Sequence, residues 1–339
     1  MMLPIEKLLP DICAALSAGP NAVIIAPPGA GKTTMVAPAL MDQPWCEGQI
    51  ILLSPRRLAA RAAAERMAQL AGEGVGGRIG YATRMDARHG PDTRILVLTE
   101  GIFRNRIIAD PELTGVSAVL FDEVHERSLD SDFGLALALD AQAALRPDLR
   151  LIAMSATLDG DRFSALMGGA PLIVSEGRSH PLLIRYLGRD PTRSIEDSMA
   201  SAIRTAMAEE QGDMLAFLPG VREIDRVGER LATTTLVIHK LHGQLDPAEQ
   251  RAALQPDARG GRKLILATSI AETSLTIDGV RIVIDSGLAR RARFDVGSAS
   301  SRLVTERVSQ AAATQRAGRA ARQGQGVAYR LWEDAATGG

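Results

Sequence analysis

Cysteine is nearly absent: only Cys13 and Cys46 occur in 339 residues, and neither stands at metal-ligand or disulfide spacing. That excludes a disulfide framework and a cysteine-held metal, and makes a reducing cytoplasm the expected location. Aromatic residues are only 3% of the chain, so stacking of bases on Phe or Tyr cannot dominate any nucleic-acid contact. The net charge of −1 offers no global attraction to a polyanion, so any such path must come from local arginine clusters. No apolar run approaches the length of a membrane span and no charged-then-apolar leader opens the chain, so no membrane partner is expected.

What is present is an ordinary soluble composition, 46% hydrophobic and 23% charged, in a chain long enough for two domains with separate cores. Short continuous apolar runs alternate with helical Ala/Leu/Arg stretches. In the first half the runs are Val23–Ala26, Ile50–Leu53, Ile95–Leu98, Val116–Phe121 and Leu151–Met154, with helices expected over Leu58–Leu70 and Ser131–Ala144. Uninterrupted apolarity of this kind marks strands buried on both faces, and the alternation implies right-handed βαβ units and parallel sheets. The pattern restarts after Glu176–Pro181, with strands expected at Met214–Leu218, Leu236–His239, Lys263–Leu266 and Arg281–Asp285. The expected domains are 1–176 and 177–339. Ligand sites in such sheets lie at the C-terminal strand ends, where Lys32, Asp122, Ser155 and Thr268 fall.

Residues 26–33 read Ala-Pro-Pro-Gly-Ala-Gly-Lys-Thr between an expected strand and an expected helix. In that context the stretch is a phosphate-binding loop, although Ala26 stands where a first Gly is usual. Pro27 and Pro28 lack N–H groups, so Gly29, Ala30, Gly31, Lys32 and Thr33 supply the donors, with Thr34 following. Lys32 is expected to reach the β- and γ-phosphates and the Thr33 hydroxyl to ligate Mg²⁺. Strand Val116–Phe121 delivers Asp122-Glu123-Val124-His125: Asp122 is expected on the metal, and Glu123 there too and as general base toward the attacking water. Ser155-Ala156-Thr157 closes the next strand and could relay hydrogen bonds. In Gln315-Arg316-Ala317-Gly318-Arg319-Ala320-Ala321-Arg322 the arginines recur every third residue, so a helix would align them on one face, where an anion is their natural partner. Gln315 could position water.

Together these motifs resemble the DEAH-box group of superfamily 2 helicases and its bacterial branch. The resemblance runs in order through nearly the whole chain. It includes Pro55–Arg61, Thr99-Glu100-Gly101, Phe217–Gly220, Leu241-His242-Gly243 and the long run Ala267–Gly279. Val124 replaces the Ala of the DEAH box, and Ala321 replaces a Gly in the last motif. The fold implied is α/β, two tandem RecA-like domains, each a mostly parallel sheet flanked by helices.

The resemblance implies ATP with Mg²⁺ in a cleft between two lobes. Catalysis would then rest on Lys32, Glu123 and Gln315, with Arg319 and Arg322 as arginine fingers. Arg66 and Asp278 are implied as nucleotide contacts, with Leu254 where the group usually has an aromatic residue. Backbone phosphates would be gripped by Arg56, Arg57, Thr99, Arg104, Thr268 and Thr273, without base identity. The implied activity is ATP-driven translocation along RNA, 3′ to 5′, with unwinding. The alternative is a nucleic-acid-stimulated ATPase that remodels ribonucleoprotein or DNA without processive unwinding. Residues 290–294 and 301–304 flank a turn-rich segment and read as a β-hairpin like the one the group presses on its strand. Further C-terminal domains, usual in the group, are expected outside this sequence, and no residue visibly separates RNA from DNA.

Overall fold

The structure, a computed structural model, describes residues 3–334 apart from 28, 157–159, 176–179, 256, 258–259, 273–276, 296 and 298–299. It divides into two units, Met1–Arg178 and Ser179–Gly339.

In the first unit helix α1 (Leu9–Ala18) precedes strand β1 (Asn21–Ile25), which leads to helix α2 (Lys32–Met41). Strand β2 (Gln49–Ser54) and helix α3 (Arg57–Leu70) follow, then β3 (Ile79–Ala82), β4 (Ala87–Arg88) and β5 (Ile95–Thr99). Helix α4 (Glu100–Ala109), β6 (Val116–Phe121), α5 (Leu129–Ala144), β7 (Arg150–Ser155), α6 (Gly160–Leu166) and β8 (Leu172–Val174) complete it. The eight strands lie in the order β4-β3-β5-β2-β6-β7-β1-β8, all parallel except the β3–β4 pair.

Alternate residues of one strand serve two different cores. Ile50 and Leu52 pack with Ile24, Leu120 and Ile152 on one face; Ile51 and Leu53 pack with Val23, Phe121 and Leu151 on the other. A strand covered on both faces has no solvent side, which is why the central strands read as continuous apolar runs. Burying one Leu or Ile in this way is worth roughly 1.5–3 kcal/mol, so several such strands fix the sheet register.

The second unit begins with β9 (Leu182–Tyr186), α7 (Ile195–Glu209), β10 (Asp213–Phe217) and α8 (Val221–Arg230). Then come β11 (Val237–Leu241), α9 (Pro247–Leu254), β12 (Lys263–Ala267) and β13 (Val280–Asp285). A hairpin, β14 (Leu288–Asp295) and β15 (Ser300–Arg307), is followed by α10 (Gln310–Ala317) and β16 (Gly326–Arg330). Its six-stranded sheet is parallel in the order β11-β12-β10-β13-β16-β9, and the hairpin forms a separate antiparallel pair.

Helix starts are chemically marked. Ser128, Ser194 and Ser309 accept backbone N–H bonds at α5, α7 and α10, and the Asp246 carboxylate accepts two at α9. Five strands were absent from the sequence reading: β3, β4, β8, β9 and β16. Strand β4 is two exposed residues, β8 and β9 are short apolar segments at sheet edges with exposed positions, and buried β16 interrupts its apolarity with Gly326 and Arg330. Among the described residues no helix is long and apolar enough to cross a membrane.

Candidate active site

Because β6, β7 and β1 are parallel neighbours, the segments after β1 and β6 emerge on the same edge about two strand spacings apart, roughly 10 Å. The loop after β1 curls back into α2 through two left-handed glycines, Gly29 (φ 82°) and Gly31 (φ 95°). At Gly31 a Cβ would also lie 2.9 Å from Leu3 Cδ1, so position 31 needs Gly on two counts. A short 3₁₀ turn, Pro4–Leu8, pins this loop from the N-terminal side: buried Ile5 donates its N–H to Ala30 O at 3.1 Å. That brace was not read from sequence, since a lone Ile near a chain start carries no signal. Pro28 lies outside the described residues.

Lys32 is buried at the first position of α2, and its Nζ donates to Ala26 O at 2.8 Å. The Thr33 hydroxyl donates to Asp122 Oδ2 at 2.6 Å. Asp122 is 1% exposed, and its other oxygen accepts the Glu123 N–H at 3.0 Å. Burial, and next the Glu123 carboxylate, push Asp122 well above the ordinary carboxylate range, against the pull of the Lys32 ammonium and the Thr33 hydroxyl. Two hard oxygens in contact suit a Mg²⁺ ion, whose charge would favour the ionised Asp122 that burial alone disfavours. No cluster of three or more His, Cys, Asp or Glu side chains that could hold a metal occurs among the described residues.

Glu123 sits in the left-handed region (φ 54°) and is 7% exposed. Such a backbone costs a non-glycine residue on the order of 1–3 kcal/mol, a concentration of strain at the proposed base. His125 Nδ1 accepts the Ala156 N–H at 3.3 Å and lies 3.5 Å from Glu123 Oε2. Burial lowers the His125 pKa despite the nearby Glu123 carboxylate, which favours the neutral ring that accepts the Ala156 N–H at Nδ1. Ser155 is fully buried and its carbonyl accepts the Ala26 N–H at 3.0 Å, tying β7 to the loop. Thr157 lies outside the described residues. Val124 packs into the apolar core, so the departure at this position fills space there.

Beyond the ends of β2 and β5 lies a cavity of about 610 Å³, lined by Arg57, Arg84, Thr99, Arg104 and Asp130 among others. Three of the phosphate-contact candidates thus meet in one place. Thr99 is the N-cap residue of α4, yet its hydroxyl does not cap the helix. Arg104 Nη1 donates to Asp130 Oδ1 at 2.5 Å, and Arg56 lies 3.7 Å from Glu126. Arg84 was missed because the turn after β3 was not recognised. Arg66 is on α3, where its Nη1 donates to Gln69.

In the second unit one expectation is overturned. Helix α10 ends at Ala317, so the three-residue spacing of Arg316, Arg319 and Arg322 does not place them on one helical stripe. Arg316 points inward, with 0% exposure, and is held by Glu272 and Asp285. Arg319 follows in a turn, 3% exposed, with Nε donating to Glu272 O at 2.9 Å. Gln315 and Arg322 are part-exposed. Ala321 does not adopt a positive φ, so Gly is not required there. Thr268 follows β12 and donates its N–H to Leu241 O; Thr273 lies outside the described residues. Asp278 accepts from Gln323 Nε2 at 2.6 Å, a partner that no motif flagged.

A phosphate loop closed onto a buried acidic pair, in a chain whose second unit carries glutamine and arginines after a short helix, defines the class. The chain belongs to the DEAD/DEAH box helicases. The model for that family matches residues 9–165, and the helicase conserved C-terminal domain matches 197–324. Both units are RecA-like helicase domains with mostly parallel sheets flanked by helices. The chain is 47% identical to the ATP-dependent RNA helicase HrpB of Escherichia coli (strain K12), over 97% of this chain and 41% of that protein. It is 35% identical to the pre-mRNA-splicing factor ATP-dependent RNA helicase prp22 of Schizosaccharomyces pombe, over 98% and 30%. The crystal structure of Escherichia coli DEAH/RHA helicase HrpB superposes with a TM-score of 0.93 at 46% identity, covering 99% of this chain and 43% of that one. The chain spans less than half the length of these relatives.

Proposed function

We propose that this chain is the ATP-hydrolysing core of an RNA helicase that moves 3′ to 5′ along a strand. The observation that carries the reading is the Thr33 hydroxyl 2.6 Å from buried Asp122, with Glu123 held next to it in a strained backbone. Thr33 and Asp122 would hold Mg²⁺ beside Glu123, and the ion, when bound, neutralises charge on the phosphates. The donors of residues 29–34 cradle the triphosphate and Lys32 swings from Ala26 O to it. Glu123 takes the proton of the attacking water. Gln315 orients that water, Arg319 and Arg322 offset the charge that develops, and Arg66 and Asp278 hold the nucleoside. Arg56, Arg57, Thr99 and Arg104 from one unit, and Thr268 and Thr273 from the other, grip backbone phosphates.

Support for the strand path comes from Thr99 and Thr268, both at N-cap positions where the hydroxyl makes no cap bond. A threonine at a helix start whose oxygen is spared can donate to a phosphate instead. The relatives named as RNA helicases favour RNA as the strand. The test is steady-state ATP turnover of the chain with and without poly(U), with poly(dT) alongside, and with EDTA as the metal control. Stimulation by poly(U) beyond that by poly(dT), abolished by EDTA, is expected. Turnover that no polynucleotide changes would contradict the proposal.

A further inference from the structure

Arg316 heads the large side chains that the described residues bury completely. Its guanidinium lies 4.8 Å over the Phe217 ring. Nε donates to Glu272 Oε1 at 2.7 Å and Nη2 donates to the same oxygen. Nη1 donates to Asp285 Oδ1 at 2.7 Å and to Leu288 O at 3.3 Å. Each partner belongs to a different segment. Glu272 follows the short turn Ser269–Ala271 that begins at Thr268. Asp285 ends β13, and its Oδ1 also accepts the Gly287 N–H at 2.8 Å. Leu288 opens the hairpin strand β14. Arg319 completes the chain of contacts, since its Nε donates to Glu272 O at 2.9 Å and its N–H to Arg316 O at 3.1 Å.

We infer that Arg316 is a positioning residue, the link through which the Thr268 turn and the hairpin base hold the catalytic arginine Arg319 in place. This rests on the helicase reading above. Glu272 carries the link twice: its carboxylate is clamped by Arg316 and its carbonyl clamps Arg319. A shift of the Thr268 turn or of the hairpin, the parts proposed to meet RNA, therefore moves the anchor of Arg319. Only a planar fork with several donors reaches two carboxylates and a carbonyl at once, which a single ammonium cannot do. A cluster serving stability alone has no need of charge, because apolar side chains replacing all of its members together often pack as well.

The test is Arg316→Lys in the full chain, with Glu272→Gln as a second variant that keeps the shape of the clamp. Turnover, KM for ATP and thermal midpoint are read with and without poly(U). Expected for Arg316→Lys is a fall of roughly tenfold or more in kcat, with KM for ATP within about threefold and the stimulation by poly(U) mostly lost. Glu272→Gln should shift kcat and stimulation in the same direction by less. A lowered midpoint with normal kcat and normal stimulation in either folded variant would overturn the inference and leave Arg316 as part of the core only. If Arg316→Lys does not fold, the Glu272→Gln result decides. If wild-type turnover ignores poly(U), the helicase reading falls separately, and the positioning claim is read from kcat without RNA.

Discussion

The two units hold their candidate functional groups by different means. In the first, Lys32, Thr33, Asp122 and Glu123 follow strands buried on both faces, and the sheet register brings Thr33 to Asp122. In the second, Arg319 sits in a turn beyond an eight-residue helix with its Nε on the Glu272 carbonyl, and the Glu272 carboxylate pairs with buried Arg316, which also pairs with Asp285. A site at strand ends is fixed by hydrophobic packing that nothing at the site can undo. A site hung on a charge cluster is sensitive to whatever moves the members of that cluster. The first arrangement suits a ground-state binding pocket, and the second suits a group meant to act only when the right neighbours are engaged.

Four substitutions or measurements bear on that contrast. Glu123→Gln should leave Mg·ATP binding intact and abolish turnover, since the amide keeps the shape but cannot take a proton. General bases contribute roughly 10²–10⁴-fold, so a variant retaining more than about a tenth of wild-type kcat removes Glu123 from that role. Lys32→Ala should weaken ATP binding on the order of a hundredfold, about 2.7 kcal/mol, measured by titration calorimetry; unchanged affinity would mean that Lys32 stays on Ala26 O throughout. Ile5→Ala should cost about 2–5 kcal/mol in urea unfolding and raise the KM for ATP, because the buried side chain that packs against Gly31 is lost while the N–H bond to Ala30 O stays. A stability loss without any KM change would separate Ile5 from the site. The smallest effect concerns nucleotide choice. Leu254 offers no aromatic face, so GTP and ATP should be hydrolysed within about tenfold, 1.4 kcal/mol, of each other.

How far each unit was legible follows from the same contrast. Val116–Phe121 was read to its ends because both faces of that strand are buried and Asp122 interrupts the run. The loop from Gly29 to Thr33 was legible because left-handed backbone and a helix start demand those residue types. Strand β16 was not, as Tyr329 and Arg330 are buried through side-chain partners that sequence does not display: Arg330 stacks on Tyr186 and Trp332. Arg316 was misread for a related reason. Regular spacing suggests a shared helical face, but the helix stops at Ala317, and the carboxylates that draw Arg316 inward lie far away in the chain, at 272 and 285. The Pro4–Leu8 turn became visible only when the fold laid it against Gly31.

The most direct test of the division of labour between the units is ATP affinity and kcat measured on the same Arg319→Ala protein. An arginine that acts on transition-state charge should, when removed, cost on the order of 10³-fold or more in turnover at saturating ATP, while affinity changes by less than about fivefold. Collapse of ATP affinity with normal turnover at saturation would contradict the assignment, placing Arg319 among the groups that bind ground-state nucleotide.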